Sequence, residues 1–130
     1  MAEDAQIVAV LVPNPALGSI LSMVLASTPS LRVEAFESRA ALVAHMRQAP
    51  VDLVVCDFDD AEAGAHDVAL VLRADIALHG RGFEIIALTS SVDGDSRRRA
   101  AEAGIDEVIV KPMSPKYLLE RVQSRLARRR

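Results

Sequence analysis

Val51-Asp52-Leu53-Val54-Val55-Cys56-Asp57 is an apolar run that ends on an acid, and Phe58, Asp59 and Asp60 follow at once. Four consecutive apolar residues, Leu53 to Cys56, suit a strand buried on both faces, as in a parallel sheet covered by helices. Asp57 is then expected at the strand's carboxyl end, the edge where open α/β sheets bind ligands. On its own, Asp57 fits equally well as an acid that ends a strand and caps the next helix.

The flanking sequence repeats the pattern. Ile7–Val12 is a second apolar run, stopped by Pro13, and reads as the first strand. A helix is expected from about Ala16 to Ala26, with Leu17, Ile20, Leu21, Val24 and Leu25 as its apolar stripe. Leu31–Phe36 alternates as a strand near a sheet edge does. Ser38 can cap a helix from Arg39 to about Gln48, with Ala41, Leu42, Ala44, His45 and Met46 on its inner face. His45 has no visible partner and reads as a surface or half-buried residue.

Beyond Asp57, a helix is expected from about His66 to Leu78, burying Val68, Leu70, Val71, Leu72 and Ile76. His79-Gly80-Arg81-Gly82 resets the chain. Phe83–Leu88 is a fourth strand that leads into Thr89-Ser90-Ser91, and Asp93 or Asp95 starts a charged helix ending near Ala103-Gly104. Asp106–Val110 gives a fifth strand, followed by Lys111-Pro112. Pro115 opens a last helix carrying Leu118, Leu119, Val122 and Leu126. Five strands alternating with five helices predict a doubly wound, five-stranded parallel α/β sheet, in one domain spanning 1–130 with its core at about 6–127.

Composition narrows the function classes. Half of the residues are apolar, yet Trp is absent and aromatics are few, so the core must be aliphatic. The single Cys56 lies within a strand, reads as a small buried hydrophobe and fits a reducing compartment. No run approaches the roughly 20 apolar residues of a membrane span, and the amino terminus is acidic, so a cytoplasmic protein is expected. Residues 1–80 carry four Arg against eleven acids, a net −7, whereas residues 81–130 carry eleven basic residues against seven acids, a net +4. Arg97-Arg98-Arg99 and Arg128-Arg129-Arg130 lie in that basic part, but no aromatics are interleaved to stack on bases, which argues against nucleic acid.

Asp57, Thr89 and Lys111 would meet in one crevice if the first, third, fourth and fifth strands are neighbours. A carboxylate nucleophile, a hydroxyl donor and an ammonium suit phosphoryl transfer onto Asp57. With Leu88-Thr89-Ser90, Ala103-Gly104-Ile105-Asp106 and Lys111-Pro112 in register behind Asp57, the chain resembles the receiver domain of bacterial two-component response regulators, from Ile7 to about Leu126. The resemblance implies a flavodoxin-like (βα)5 fold and a phosphoacceptor at Asp57, charged by a histidine kinase or phosphotransfer protein. Thr89 would contact the phosphoryl group, and Lys111, aimed by a Lys111–Pro112 bond that is often cis in the family, would pair with it. It implies no enzyme activity beyond self-phosphorylation and autodephosphorylation.

Three departures from the family pattern stand out. Val12 and Pro13 replace the two adjacent acids that hold Mg²⁺, leaving Asp57 and the backbone near Asp59, unless Asp59, Asp60 or Asn14 substitutes. Asp60-Ala61-Glu62-Ala63-Gly64 replaces a Met-Pro turn. Val108 stands where an aromatic normally swings with phosphorylation state. The expected function is therefore an atypical receiver with impaired phosphorylation, acting through a downstream signalling protein. Its expected output face, which could also pair a homodimer, surrounds Arg97, Arg98, Arg99, Val108, Arg121 and Arg125, on the fourth helix, fifth strand and fifth helix. A working phosphoacceptor is the main alternative, and second-messenger nucleotide binding at the Arg-rich face a lesser one.

Overall fold

The structure, a computed structural model, describes residues 5–59, 65–90 and 93–128, with Ala65 and His66 described by their backbone alone. The elements follow in the order β1 (Gln6–Leu11), α1 (Pro15–Ala26), β2 (Leu31–Phe36), α2 (Arg39–Gln48), β3 (Leu53–Asp57) and α3 (Ala65–Ala74). A 3₁₀ turn (Ile76–Leu78) precedes β4 (Glu84–Thr89), α4 (Gly94–Glu102), β5 (Glu107–Val110) and α5 (Pro115–Ala127). All strand pairings are parallel, in the order β2-β1-β3-β4-β5. This is the doubly wound order with β2 at one edge, where its alternating pattern belongs.

Every residue of β3 is buried because the sheet is covered on both faces. Val54 and Cys56 point into one apolar layer with Leu42 and Met46 of α2 and Val68 and Leu72 of α3. Leu53 and Val55 point into the other, with Leu21 and Leu25 of α1 and Leu118, Val122 and Leu126 of α5. Side chains alternate across a strand, so an unbroken apolar run is what two such layers require.

Helix starts follow the capping residues. The side chains of Asn14, Ser38, Asp93 and Ser114 each accept from a backbone N–H in the first turn of α1, α2, α4 and α5. Strand boundaries shift slightly: β4 begins at Glu84 rather than Phe83 and takes in Thr89, and β5 begins at Glu107 rather than Asp106.

Several apolar residues expected inside lie outside. The helix expected to reach Leu78 ends at Ala74, because the Asp75 carboxylate caps the following turn through the Ala77 N–H and binds Arg47. Ile76 is thereby turned out to 83% exposure, and Leu70 and Val71 also face outward. In α1, Ile20 is 48% exposed. In α2 the inner face is Leu42, Val43 and Met46, while Ala41 and Ala44 are exposed. His45 is half-buried, with Nε2 3.2 Å from Glu34 Oε1 and its ring tilted against Phe36. No helix among the described residues is long and apolar enough to cross a membrane.

Candidate functional site

Because β1, β3, β4 and β5 are neighbours, their carboxyl ends share one edge of the sheet. Asp57 ends β3 opposite Leu88, and Thr89 ends β4 opposite Val110, the residue before Lys111. Asp57 and Thr89 are the buried polar residues of the described chain, at 7% and 2% exposure. The Lys111 N–H donates to Thr89 O at 2.7 Å, and the Lys111–Pro112 bond is cis. Lys111 Nζ reaches both Asp57 oxygens at 3.1 Å.

Thr89 joins the group through a residue that strand-end arithmetic passes over. Its Oγ1 donates to Asp59 Oδ1 at 3.1 Å, and the Ser90 N–H donates to Asp59 Oδ2 at 2.8 Å. Lys111 Nζ lies 2.9 Å from Asp59 Oδ2 as well, so one ammonium bridges two carboxylates. The Asp59 N–H in turn donates to Asp57 Oδ1 at 2.8 Å.

The electrostatics follow from these contacts. Burial works to raise the Asp59 carboxyl, but hydrogen bonds from Lys111, Ser90 and Thr89 outweigh it and hold the group below its ordinary value. Burial likewise works to lower Lys111, and its bonds to Asp59 and Asp57 hold it above the ordinary lysine value. Lys111 is thus a fixed cation and Asp59 a fixed anion at neutral pH. Cys56, directly behind Asp57, is fully buried and its thiol is pushed up to about 12, first by burial and then by the Asp57 charge.

Among the described residues, side-chain carboxylates that could hold a cation here are few. Leu11, the last residue of β1, is paired with Cys56, so the register carried on puts Val12 level with Asp57 and Pro13 one step beyond. Neither offers a side-chain oxygen. Asn14 caps α1, its Oδ1 accepting from the Leu17 N–H at 3.0 Å. Among the described residues no group of three or more His, Cys, Asp or Glu could hold a metal ion. Asp60 and Glu62 lie outside the described residues. An open cleft of about 580 Å³ lies between α1 and the start of α2, walled by Val12, Pro13, Ser19, Phe36 and Ser38, but Asp57, Thr89 and Lys111 do not line it.

A model of the response regulator receiver domain matches residues 13–123, most of the chain, including Asp57, Asp59, Thr89 and Lys111. The chain belongs to this family. Over 121 residues the receiver is 34% identical to the DNA-binding response regulator MtrA of Mycolicibacterium smegmatis, an alignment covering 88% of this chain and 48% of that protein. Over 83 residues it is 37% identical to MtrA of Mycobacterium tuberculosis, covering 64% of this chain and 34% of the relative. The chain therefore spans about half the length of the first relative or less. The chemotaxis response regulator CheY4 of Vibrio cholerae superposes with a TM-score of 0.79 at 19% identity, covering 93% of this chain and 98% of that one. DrrB of Thermotoga maritima gives a TM-score of 0.81 at 22% identity, covering 97% of this chain and 54% of its own. At those identities the two structures show the fold, a CheY-like (βα)5 sheet.

The receiver's α4–β5–α5 face differs from the exposed basic surface expected there. Arg97, Arg98 and Arg99 are exposed, and Arg98 pairs with Asp95. Arg121 and Arg125 are instead half-buried. Arg121 Nε meets Glu107 Oε2 at 2.5 Å, and Arg125 bridges Glu107 at 2.7 Å and Glu84 at 3.0 Å. Their charges are spent inside the fold, tying α5 to β4 and β5. Val108 packs with Phe58 against the core, beside a gap walled by Thr89, Ser96, Arg97 and Ala100. Arg129 and Arg130 lie outside the described residues.

Proposed function

We propose that this receiver acts in two-component signalling chiefly through protein contacts, with Asp57 a phosphoacceptor that takes up phosphate slowly or not at all. Response regulators work with histidine kinases, and Asp57, Thr89 and Lys111 are the residues we assign to that exchange. In it, an Asp57 oxygen would attack the phosphorus of a phosphohistidine. The P–N bond would break as the P–O bond of an acyl phosphate forms. Thr89 would donate a hydrogen bond to the transferred group, and Lys111 would pair with its charge.

The observation that carries the slow rate is the pair Val12 and Pro13 following β1 beside Asp57. Receiver domains typically bind Mg²⁺ at this site, and a hard cation needs carboxylate or carbonyl oxygens. Here the described carboxylates are Asp57 and Asp59, and Lys111, Thr89 and Ser90 already occupy Asp59. This donor set fits a divalent ion poorly, which leaves Lys111 as the main countercharge for an incoming phosphoryl group.

Further support comes from Val108, whose short side chain has no aromatic lever to swing. The output partner we assign is a downstream protein, or a second copy of the chain, at α4–β5–α5 around Arg97, Arg98 and Arg99. DNA binding is a property in the names of the MtrA relatives, and this chain spans about half of them or less.

Intact mass after incubation with acetyl phosphate, with and without Mg²⁺ and beside an Asp57→Ala control, tests the reading. Little or no gain, unaltered by Mg²⁺, is expected from the folded protein. A stoichiometric gain of one phosphoryl group that requires both Mg²⁺ and Asp57 would overturn it in favour of a working phosphoacceptor.

A further inference from the structure

The Asp59 carboxylate is held by more than a surface ion pair. A hydroxyl from the end of β4, a backbone N–H one residue later and an ammonium after β5 converge on its two oxygens at 3.1, 2.8 and 2.9 Å. With the Ser90 side chain also bonded to Asp59, neutral hydroxyls, a backbone N–H and one fixed cation around two oxygens make an oxyanion site. Thr89 is 2% exposed, so its hydroxyl is committed in direction rather than turning in water. Asp59 is delivered to these donors by its own backbone, since its N–H is fixed on Asp57 Oδ1 at 2.8 Å.

We propose that Asp59 is a tethered stand-in for a bound oxyanion, its carboxylate filling the Thr89, Ser90 and Lys111 donors that a phosphoryl group on Asp57 would need. The resting chain thereby holds Thr89 and Lys111 in the anion-bound arrangement without any phosphoryl transfer. A second consequence is competition. Lys111 Nζ touches both Asp57 oxygens and Asp59 at once, so an anion arriving at Asp57 must displace Asp59 to claim the ammonium. The donor site itself is read from geometry; its link to phosphorylation rests on the role proposed for Asp57.

The test uses inorganic phosphate as probe and the backbone amides of Thr89 and Ser90 as reporters, in ¹H–¹⁵N spectra of the full chain. Wild type, Asp59→Ala, Asp59→Asn and Asp57→Ala are titrated in parallel. The proposal expects no saturable response in wild type or Asp57→Ala. It expects a saturable shift of the Ser90 amide in Asp59→Ala, at least about tenfold tighter than any in wild type, the equivalent of one charged hydrogen bond freed. Adding Lys111→Ala to Asp59→Ala should abolish it. Asp59→Asn, which keeps the side-chain volume without the charge, should respond in the same sense and serves if Asp59→Ala does not fold.

Equal responses in wild type and the Asp59 variants would overturn the proposal, as would none in either Asp59 variant. A response released by Asp57→Ala and not by Asp59→Ala would also overturn it, since Asp57 would then be the blocking charge. The acetyl phosphate experiment is read on a different atom. Stoichiometric phosphorylation with a silent wild-type titration would refute the slow phosphoacceptor alone, and an early wild-type response with no phosphorylation would refute the stand-in alone.

Discussion

Replacing Lys111 with Met keeps most of the side-chain volume and removes the one ammonium that two carboxylates share. Asp57 and Asp59, with side chains 10% and 31% exposed, would then face each other without a cation. A fully buried pair stripped of one partner costs about 3–5 kcal/mol, and an exposed pair about 0.2–1 kcal/mol. Lys111 is 22% exposed, so the site falls between these limits, at about 2 kcal/mol. For a chain of this size that loss is a drop of about 6–10 °C in Tm, readable by circular dichroism. Lys111→Met combined with Asp59→Asn should lose less than the sum of the two single changes, by about 1 kcal/mol, because the second substitution removes the anion the first left unpaired. The gap between Lys111→Met and wild type should also narrow as pH falls and Asp59, held against burial below its ordinary value by Lys111 in wild type, protonates. A Lys111→Met protein melting within about 2 °C of wild type, or a strictly additive double variant, would show that the ammonium does not hold the two acids together.

Glu107→Gln should cost about 1–2 kcal/mol at neutral pH, because Arg121 and Arg125 lose their shared anion. Burial works to raise Glu107, but the bonds from the two Arg hold it below the ordinary glutamate value of about 4.3, so its contribution is present above that pH. The difference from wild type in urea titrations should vanish as pH falls through the lowered value, and a pH-independent difference would refute the assignment. Gly104→Ala should lose about 2 kcal/mol in the same assay, since Gly104 sits at φ +92° and a Cβ would lie 2.8 Å from Arg73 Cγ. Arg73 would have to leave the Gly104 and Phe83 carbonyls and Asp106, so unchanged stability would contradict the clamp. Cys56 should resist iodoacetamide in the native protein and react only after unfolding, as its thiol is buried and pushed up to about 12; rapid native labelling would show that β3 opens.

What could be read from the sequence was what is local or periodic. The apolar runs at Ile7, Leu53 and Phe83 declare strands because a two-sided core demands them, and Ser38 declares a helix start through its cap, whereas the start of α4 is decided between Asp93 and Asp95 only by the observed Asp93 cap. The apolar stripes were harder, since half the chain is apolar and more residues fit a helical period than one face can hold. Ile20, Leu70, Val71 and Ile76 satisfied the spacing and still face outward, while Val43, next to Leu42, was missed. Asp75 reads as an ordinary polar residue until Arg47, 28 positions away, is seen to fix it where α3 stops.

The same distinction separates the parts of the site. Asp57 and Lys111 could be paired on paper because each ends or follows a strand and the strands alternate with helices. Asp59 could be named there only as an oxygen donor for a metal. Its actual partners lie 30, 31 and 52 positions onward, and all of them are donors rather than competing ligands. With an O–H on Oδ1 and an N–H and an ammonium on Oδ2, the carboxylate has little left to offer a cation. With Val12 and Pro13 contributing no side-chain oxygen, the described site has two negative groups against one positive one. Phosphorylation would turn the Asp57 carboxylate, one negative charge, into an acyl phosphate carrying about two, a net gain of about one negative charge. On the proposed reading that charge is met when Asp59 yields Lys111 to it, which would make the occupancy of Asp59 as important to this receiver as the presence of Asp57.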